Sequence, residues 1–389
     1  MNIFDLLLPV LAIANYCCFG GANSLIASAI AEPGDPLVFD RQDPLIPVGY
    51  EKRKLTSFEK YRIERAIARL NQDGEEELDR GNTEAAFSLW YRSLRLSRAL
   101  DRITEIKTLG KIGAIAWKEN STEDVRNIAN RLIAIEAEQN SDRQLVEESL
   151  TALARAFESV RYLDKAIEVY QQILQNSDVD RAAITERLGE LYLAIFDYSN
   201  AAKIYEDKLN KESSKQQAKT LQTLIDIYDR SGQNQKSIAV KQRLSEYYRS
   251  INKPARIAAL EKAIARNYQA SGQIERAIAT YRQAFDTASN NQQLALAISS
   301  LVEVGKLHQK QNNLERAINT YKQLLTVQQN AYDYYGLVNT HDALGNIYLK
   351  LDQIEFARQS FVAGLAIAET INYRTDYLRD RLQQFQAID

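Results

Sequence analysis

Small and aromatic residues return along this chain in a fixed phase. A small residue is followed three positions later by an aromatic, then by a turn, then by another small residue with an aromatic four after it, and the pattern recurs eight times. Its last three copies align Ala265/Tyr268/Ala277/Tyr281, Gly305/His308/Ala317/Tyr321 and Gly345/Tyr348/Ala357/Phe361. Spacings of three and four place residues on one face of a helix, so each unit reads as helix, tight turn, helix. The small residue opening the second helix falls at Ala86, Val125, Ala166, Ala201, Ser237, Ala277, Ala317 and Ala357. Five positions earlier stand Gly81, Asn120, Gly232, Gly272, Asn312 and Asp352, all turn formers, with Arg161 and Phe196 as exceptions. Units this short cannot bury an apolar face alone and must stack, which predicts an all-α chain, an α-solenoid.

The helical reading spans residues 57–371. Thr56-Ser57-Phe58-Glu59 has capping-box spacing, and Pro254 is the one proline from there to the end. Residues 372–389 read as a C-terminal capping helix with Tyr377, Leu378, Leu382 and Phe385 on one stripe. Residues 32–56 hold four of the six prolines and read as an extended tether. Residues 1–31 are an apolar run ending in Ala29-Ile30-Ala31, which reads as an export signal cleaved after Ala31. No Lys or Arg precedes that run and Asp5 sits near its start, so retention as a membrane anchor is the alternative, Ile3 to Ala31 being long enough to span a bilayer. A lipid attachment at Cys17 is disfavoured by Tyr16 before it. The expected location is exported, periplasmic or another extracytoplasmic lumen; the alternative is attachment to the membrane by the N-terminus.

Composition removes several function classes. A formal charge of −2 gives no affinity for a polyanion, so no nucleic-acid partner is expected. Two His and two Cys, the latter adjacent at Cys17 and Cys18, leave almost no material for metal sites or thiol catalysis. There is no phosphate-binding glycine loop and no nucleophile elbow, so no enzyme activity, cofactor or metal is expected. His308 occupies an aromatic slot and reads as a packing substitute for Tyr; His341 reads as a surface residue, and Tyr332, Tyr334 and Tyr335 read as filling between helices.

The recurring pattern resembles the tetratricopeptide repeat over about residues 60–371. Leu188-Gly189-Tyr192 and Leu344-Gly345-Tyr348 match its first helix, Ala166-Tyr170 and Ala201-Tyr205 its second. The closing proline of that family is absent, Glu77 and Ala116 replace first-helix aromatics, and Lys241 replaces a second-helix aromatic. The 40-residue spacings resemble the longer repeats of kinesin light chain type. The resemblance implies a concave groove lined by first helices, here Glu186, Glu190, Asp226, Lys262, Arg266, Lys306, Asp342 and Asn346, with Asn339 one turn earlier. Such a groove changes sign halfway. Lys262 and Arg266 resemble part of a carboxylate clamp that some members use to hold a peptide C-terminus, though in a different order. The function it implies is a non-enzymatic scaffold binding a protein or peptide segment in the groove and serving assembly of a complex. The alternative is a membrane-anchored assembly factor or co-chaperone with the N-terminal apolar segment retained.

Overall fold

The structure, a computed structural model, describes residues 36–39, 42–50, 53–141, 147–175, 180–213 and 216–386, and every regular element among them is helical. The expected signal or anchor at residues 1–31 lies outside them. The fold is all-α, of the stacked-hairpin solenoid type, in two compact units, Met1–Val179 and Asp180–Asp389.

In the first unit, helices α1 (Ser57–Asp79) and α2 (Thr83–Leu100), α3 (Arg102–Lys118) and α4 (Thr122–Ser141), and α5 (Glu147–Ser159) and α6 (Leu163–Ile173) form successive hairpins, with α3 packed on α5. The Thr56 capping box forms as the sequence predicts, the hydroxyl accepting from Glu59 N and Glu59 accepting from Thr56 N. The proline-rich segment does not stand free as a tether. Leu37 and Ile46 are buried, and Ile46 packs with Phe39, Leu45, Tyr50 and Leu55 against Ile63, Ile67 and Leu70 of α1 and Leu96 of α2. Arg92 of α2 reaches Asp43 at 2.9 Å, and Arg95 donates to the Pro36 carbonyl at 2.6 Å. Prolines keep this segment out of helix, but the aliphatic and aromatic residues between them still gain by leaving water.

The second unit pairs α7 (Arg181–Ala194) with α8 (Tyr198–Lys211), α9 (Gln217–Arg230) with α10 (Asn234–Ser250), α11 (Ile257–Ala270) with α12 (Ile274–Asn290), α13 (Leu294–Lys310) with α14 (Leu314–Asn330), and α15 (Tyr334–Lys350) with α16 (Ile354–Ile371); α17 (Thr375–Gln386) follows. A 3-10 turn, Pro254–Arg256, precedes α11. Each hairpin is closed by steric fit. A Cβ added to Gly305 would lie 2.6 Å from the Tyr321 ring, and one on Gly345 would lie 2.6 Å from Phe361. The second-helix aromatic therefore stacks directly on first-helix backbone, which explains why glycine or alanine recurs there. Ala277, Ala317 and Ala357 are fully buried at the same helix crossings. Against α16, α17 buries Leu378 and Phe385 and half-buries Leu382, while Tyr377 stays 40% exposed.

Candidate partner-binding grooves

On α15, Asn339, Asp342 and Asn346 share one face by their spacing. That face is already engaged by the C-terminal segment. Arg374 donates to Asn339 Oδ1 and Asp342 Oδ2, both at 2.8 Å; Tyr377 donates to Asp342 Oδ1 at 3.1 Å, and Arg381 to Asn346 Oδ1 at 2.5 Å. The two asparagines expected in the groove are thus held by the chain itself. The cause is a set of polar groups beside the apolar stripe of α17: Arg374, just before the helix, and Tyr377 and Arg381 on it repeat the three-and-four spacing of the α15 face they meet.

The equivalent face one and two hairpins earlier is cationic, as expected. Lys262 of α11 donates to Ser299 Oγ of α13 at 2.5 Å, and Lys306 of α13 pairs with Glu303 at 3.0 Å. Burial pushes the Lys262 ammonium below its ordinary pKa, Arg266 and Lys306 push it the same way, and Glu303 opposes them. The Tyr281 hydroxyl is pushed up to about 12 by burial; Glu303 adds to that rise, while Arg266 counters it, partly by a hydrogen bond. Lys262 therefore feels Arg266, Lys306 and Glu303 together, and of the three cations it is Lys306 that pairs with Glu303. Glu303 was missed by sequence reasoning; its place three residues before Lys306 is the signal that could have found it.

The acidic half is present but internally paired. Glu186 accepts from Lys208 at 2.7 Å, which holds its carboxyl below the usual range; Glu190 accepts from Arg187 at 2.5 Å and Asp226 from Arg230 at 3.1 Å. Glu186 and Glu190 both bear on the Tyr205 hydroxyl, whose pKa burial raises first and these carboxylates raise further. Asp226 lies on the next first helix, α9.

The first unit carries a groove of about 1170 Å³ along α1, α3 and α5. Gly110, Ala114 and Ala152 line it beside Ile106 and Leu78, and two ion pairs cross it: Lys111 to Glu75 at 3.0 Å and Lys107 to Glu148 at 2.9 Å. Lys107, Gly110 and Ala114 have the spacing of Asn339, Asp342 and Asn346, so the groove opens where two long side chains of the face are replaced by small ones. Sequence reasoning assigned no site here, although that phase was available to it.

Among the described residues no group of His, Cys, Asp and Glu is placed to hold a metal ion, and no helix is long and apolar enough to cross a membrane.

Family models match two stretches: tetratricopeptide repeat over residues 149–182, and soluble NSF attachment protein over residues 198–331. The first of these falls on the α5–α6 hairpin, with Ala166 and Tyr170 at the small and aromatic positions. A tetratricopeptide repeat is thus present in the chain at this hairpin. Among curated proteins none matches it. Similar solved structures include aspartyl phosphate phosphatase F from Bacillus subtilis, 18% identical over 68% of this chain and 76% of that one, with a TM-score of 0.38. The C-terminal part of a tetratricopeptide-repeat protein from Cytophaga hutchinsonii is 10% identical over 67% and 96%, with a TM-score of 0.38. A tetratricopeptide-repeat protein from Parabacteroides merdae is 16% identical over 68% and 93%, with a TM-score of 0.34.

Within the hairpins the slots that depart from the repeating pattern are informative. His308 is 3% exposed in its aromatic slot, the packing role read from sequence. Burial, with Arg282 and Arg316 nearby, pushes its pKa down. His341 is half-buried, not a surface residue, because its Cβ faces Gly364 of α16, and burial lowers its pKa as well. Tyr332, Tyr334 and Tyr335 do not fill space between helices; they are 76%, 46% and 58% exposed. The reason is backbone: Tyr332 sits at φ +53° at the end of α14, which turns the loop and the rings that follow outward.

Proposed function

We propose that the chain is a non-enzymatic tetratricopeptide-repeat scaffold that holds an acidic segment of a partner protein on the first-helix face of its second unit, and so serves assembly of a larger complex. One observation carries the reading: Lys262 of α11 reaches Ser299 of α13 at 2.5 Å, which brings it beside Lys306 and the Glu303 that Lys306 pairs with, and Arg266 lies one turn along on α11, an arrangement that an incoming carboxylate can extend with charge-assisted hydrogen bonds. The soluble NSF attachment protein model that matches residues 198–331 carries attachment to another protein in its name, which agrees with a binding role. The C-terminal segment on Asn339, Asp342 and Asn346 closes the α15 face, so the partner lies across α11 and α13. Binding of a fluorescent peptide of alternating Glu and Ser should weaken steeply with salt, because the exposed parts of this site are screened within about 10 Å at 0.1 M. Salt-independent binding of that peptide, or none, would remove this reading.

The groove on α1, α3 and α5 supports a second, helical partner segment: its small-residue floor admits close approach of a helix. We also read the mature chain as starting at Glu32 in an extracytoplasmic compartment. Mass measurement of the mature N-terminus tests this; retained Met1 on a cytoplasmic protein would count against it.

A further inference from the structure

Each loop that joins a second helix to the next first helix lies on the same edge of the second unit, since the helices alternate in direction. Two polar and ring contacts tie neighbouring loops together along this edge: Gln293 Nε2 donates to the Ala255 carbonyl at 2.9 Å, and the rings of Tyr335 and Tyr373 meet at 5.0 Å. The α10–α11 loop presents Arg249, Lys253 and Arg256, all exposed, with Ile251 43% exposed between them. From Arg249 to Leu260 the sequence contains no acidic residue, and none of the three cations has an ion-pair partner among the described residues. The nearest carboxylates in sequence are Glu246, a turn back on α10, and Glu261, which is buried and accepts from Gln283. The loop is held in shape: Lys253 N bonds the Tyr248 carbonyl at 2.8 Å, and the Arg256 guanidinium lies 5.7 Å over the Tyr248 ring. Two loops further along, the exposed rings of Tyr332, Tyr334 and Tyr335 stand on the same edge, and the Asp333 carboxylate beside them is used to cap Gly336 N at 2.9 Å.

We propose that this edge docks on the surface of an anionic phospholipid bilayer, the three cations meeting headgroup phosphates and Ile251 and the tyrosine rings entering the headgroup layer. Charge selects the occupant: a run of cations without acids fits a surface of fixed negative charge. Apolar and amphipathic tips beside them fit the bilayer interface better than a purely polar acidic protein, because tyrosine places a ring in the apolar layer and a hydroxyl in water. Each cation near such a surface is worth about fivefold in partitioning, so the three together give about a hundredfold.

The test is sedimentation of the full chain with vesicles of phosphatidylcholine alone and of phosphatidylcholine with phosphatidylserine. Wild type should prefer the phosphatidylserine vesicles, and the preference should fall with salt. Arg249→Gln/Lys253→Gln/Arg256→Gln should reduce that preference by about a hundredfold with an unchanged helical signal and melting temperature. Ile251→Ser/Tyr332→Ser should weaken binding while keeping the salt dependence. Arg266→Glu/Lys306→Glu should leave vesicle binding intact, which separates this edge from the groove proposed above. Equal binding to both vesicles, as the apolar run before residue 32 alone would give, overturns the proposal. So does loss of binding to a polyglutamate peptide in the triple variant without any vesicle binding by wild type, which would assign the edge to an acidic protein.

Discussion

Lys241 shows how a single departure from pattern is absorbed. It stands where neighbouring hairpins carry Tyr281, Tyr321 and Phe361, and it is only 2% exposed. Its ammonium reaches both Asp229 oxygens at 2.8 and 2.9 Å and Asn267 Oδ1 at 2.7 Å, and Asn267 returns a bond to Asp229 at 3.1 Å. A buried ammonium costs several kcal/mol unless paired, by order of magnitude, and the network supplies the pairing. Replacing the second-helix aromatic by Lys removes ring packing at this hairpin; polar bonds join α9, α10 and α11 in its stead. That was illegible because the partners are 12 and 26 positions away in sequence. Burial alone would raise the Asp229 pKa, but the bonds from Lys241, Ser237 and Asn267 outweigh it and hold the carboxyl below its ordinary value. Its contribution to stability is therefore full above the unfolded-state pKa of about 4 and is lost as pH falls through the lower folded value. Lys241→Met should remove most of this acid-side dependence below about pH 4, measured by denaturant midpoints against pH. An unchanged pH profile would show that the ammonium is not what holds the carboxylate.

At the scale of the hairpin, two structural rules explain most of what could be read in advance. The turn five residues before each second-helix anchor has positive φ in every copy, from +56° at Asp352 to +83° at Gly81. Arg161 and Phe196, the exceptions by residue type, obey it too, at +61° and +62°. Repeat phase located these turns; residue type did not, because the hairpin's packing forces a backbone that Arg and Phe tolerate at a cost of about 1–2 kcal/mol. Phe196→Gly should therefore raise stability by about 0.5–1 kcal/mol, the relief of strain exceeding the added chain entropy. A fall in melting temperature would mean that the exposed Phe196 ring, which contacts Tyr198 at 6.3 Å, outweighs the strain. The second rule is close approach at the helix crossing. Ala317 is fully buried there, so Ala317→Leu should cost about 1–3 kcal/mol, whereas Ala279→Leu on the exposed face of α12 should cost little. Equal melting temperatures for the two would contradict the packing register.

For the second unit as a whole, periodicity made the all-helical fold and the cationic face on α11 and α13 legible, because both depend on residues at fixed spacing. What it could not show is which faces the chain itself covers. The proline-rich segment folds onto α1 and α2, its Asp43 meeting Arg92 across 49 positions, and the C-terminal segment takes the polar face of α15 through bonds such as Arg374 to Asp342 across 32. Removing residues 373–389 should expose Phe361, Leu344 and their neighbours and increase aggregation with little loss of helical signal, as read by light scattering and circular dichroism. A truncated chain that stays monomeric would show α17 to be dispensable. The account rests most directly on the charge logic of the groove, and exchanging that charge tests it. Arg266→Glu/Lys306→Glu should abolish binding of the Glu/Ser peptide, create binding of a Lys/Ser peptide of the same length, and leave stability within about 0.5 kcal/mol, since exposed helix charges contribute little to folding. If the variant binds the Glu/Ser peptide as wild type does, the partner is not held at Lys262, Arg266 and Lys306.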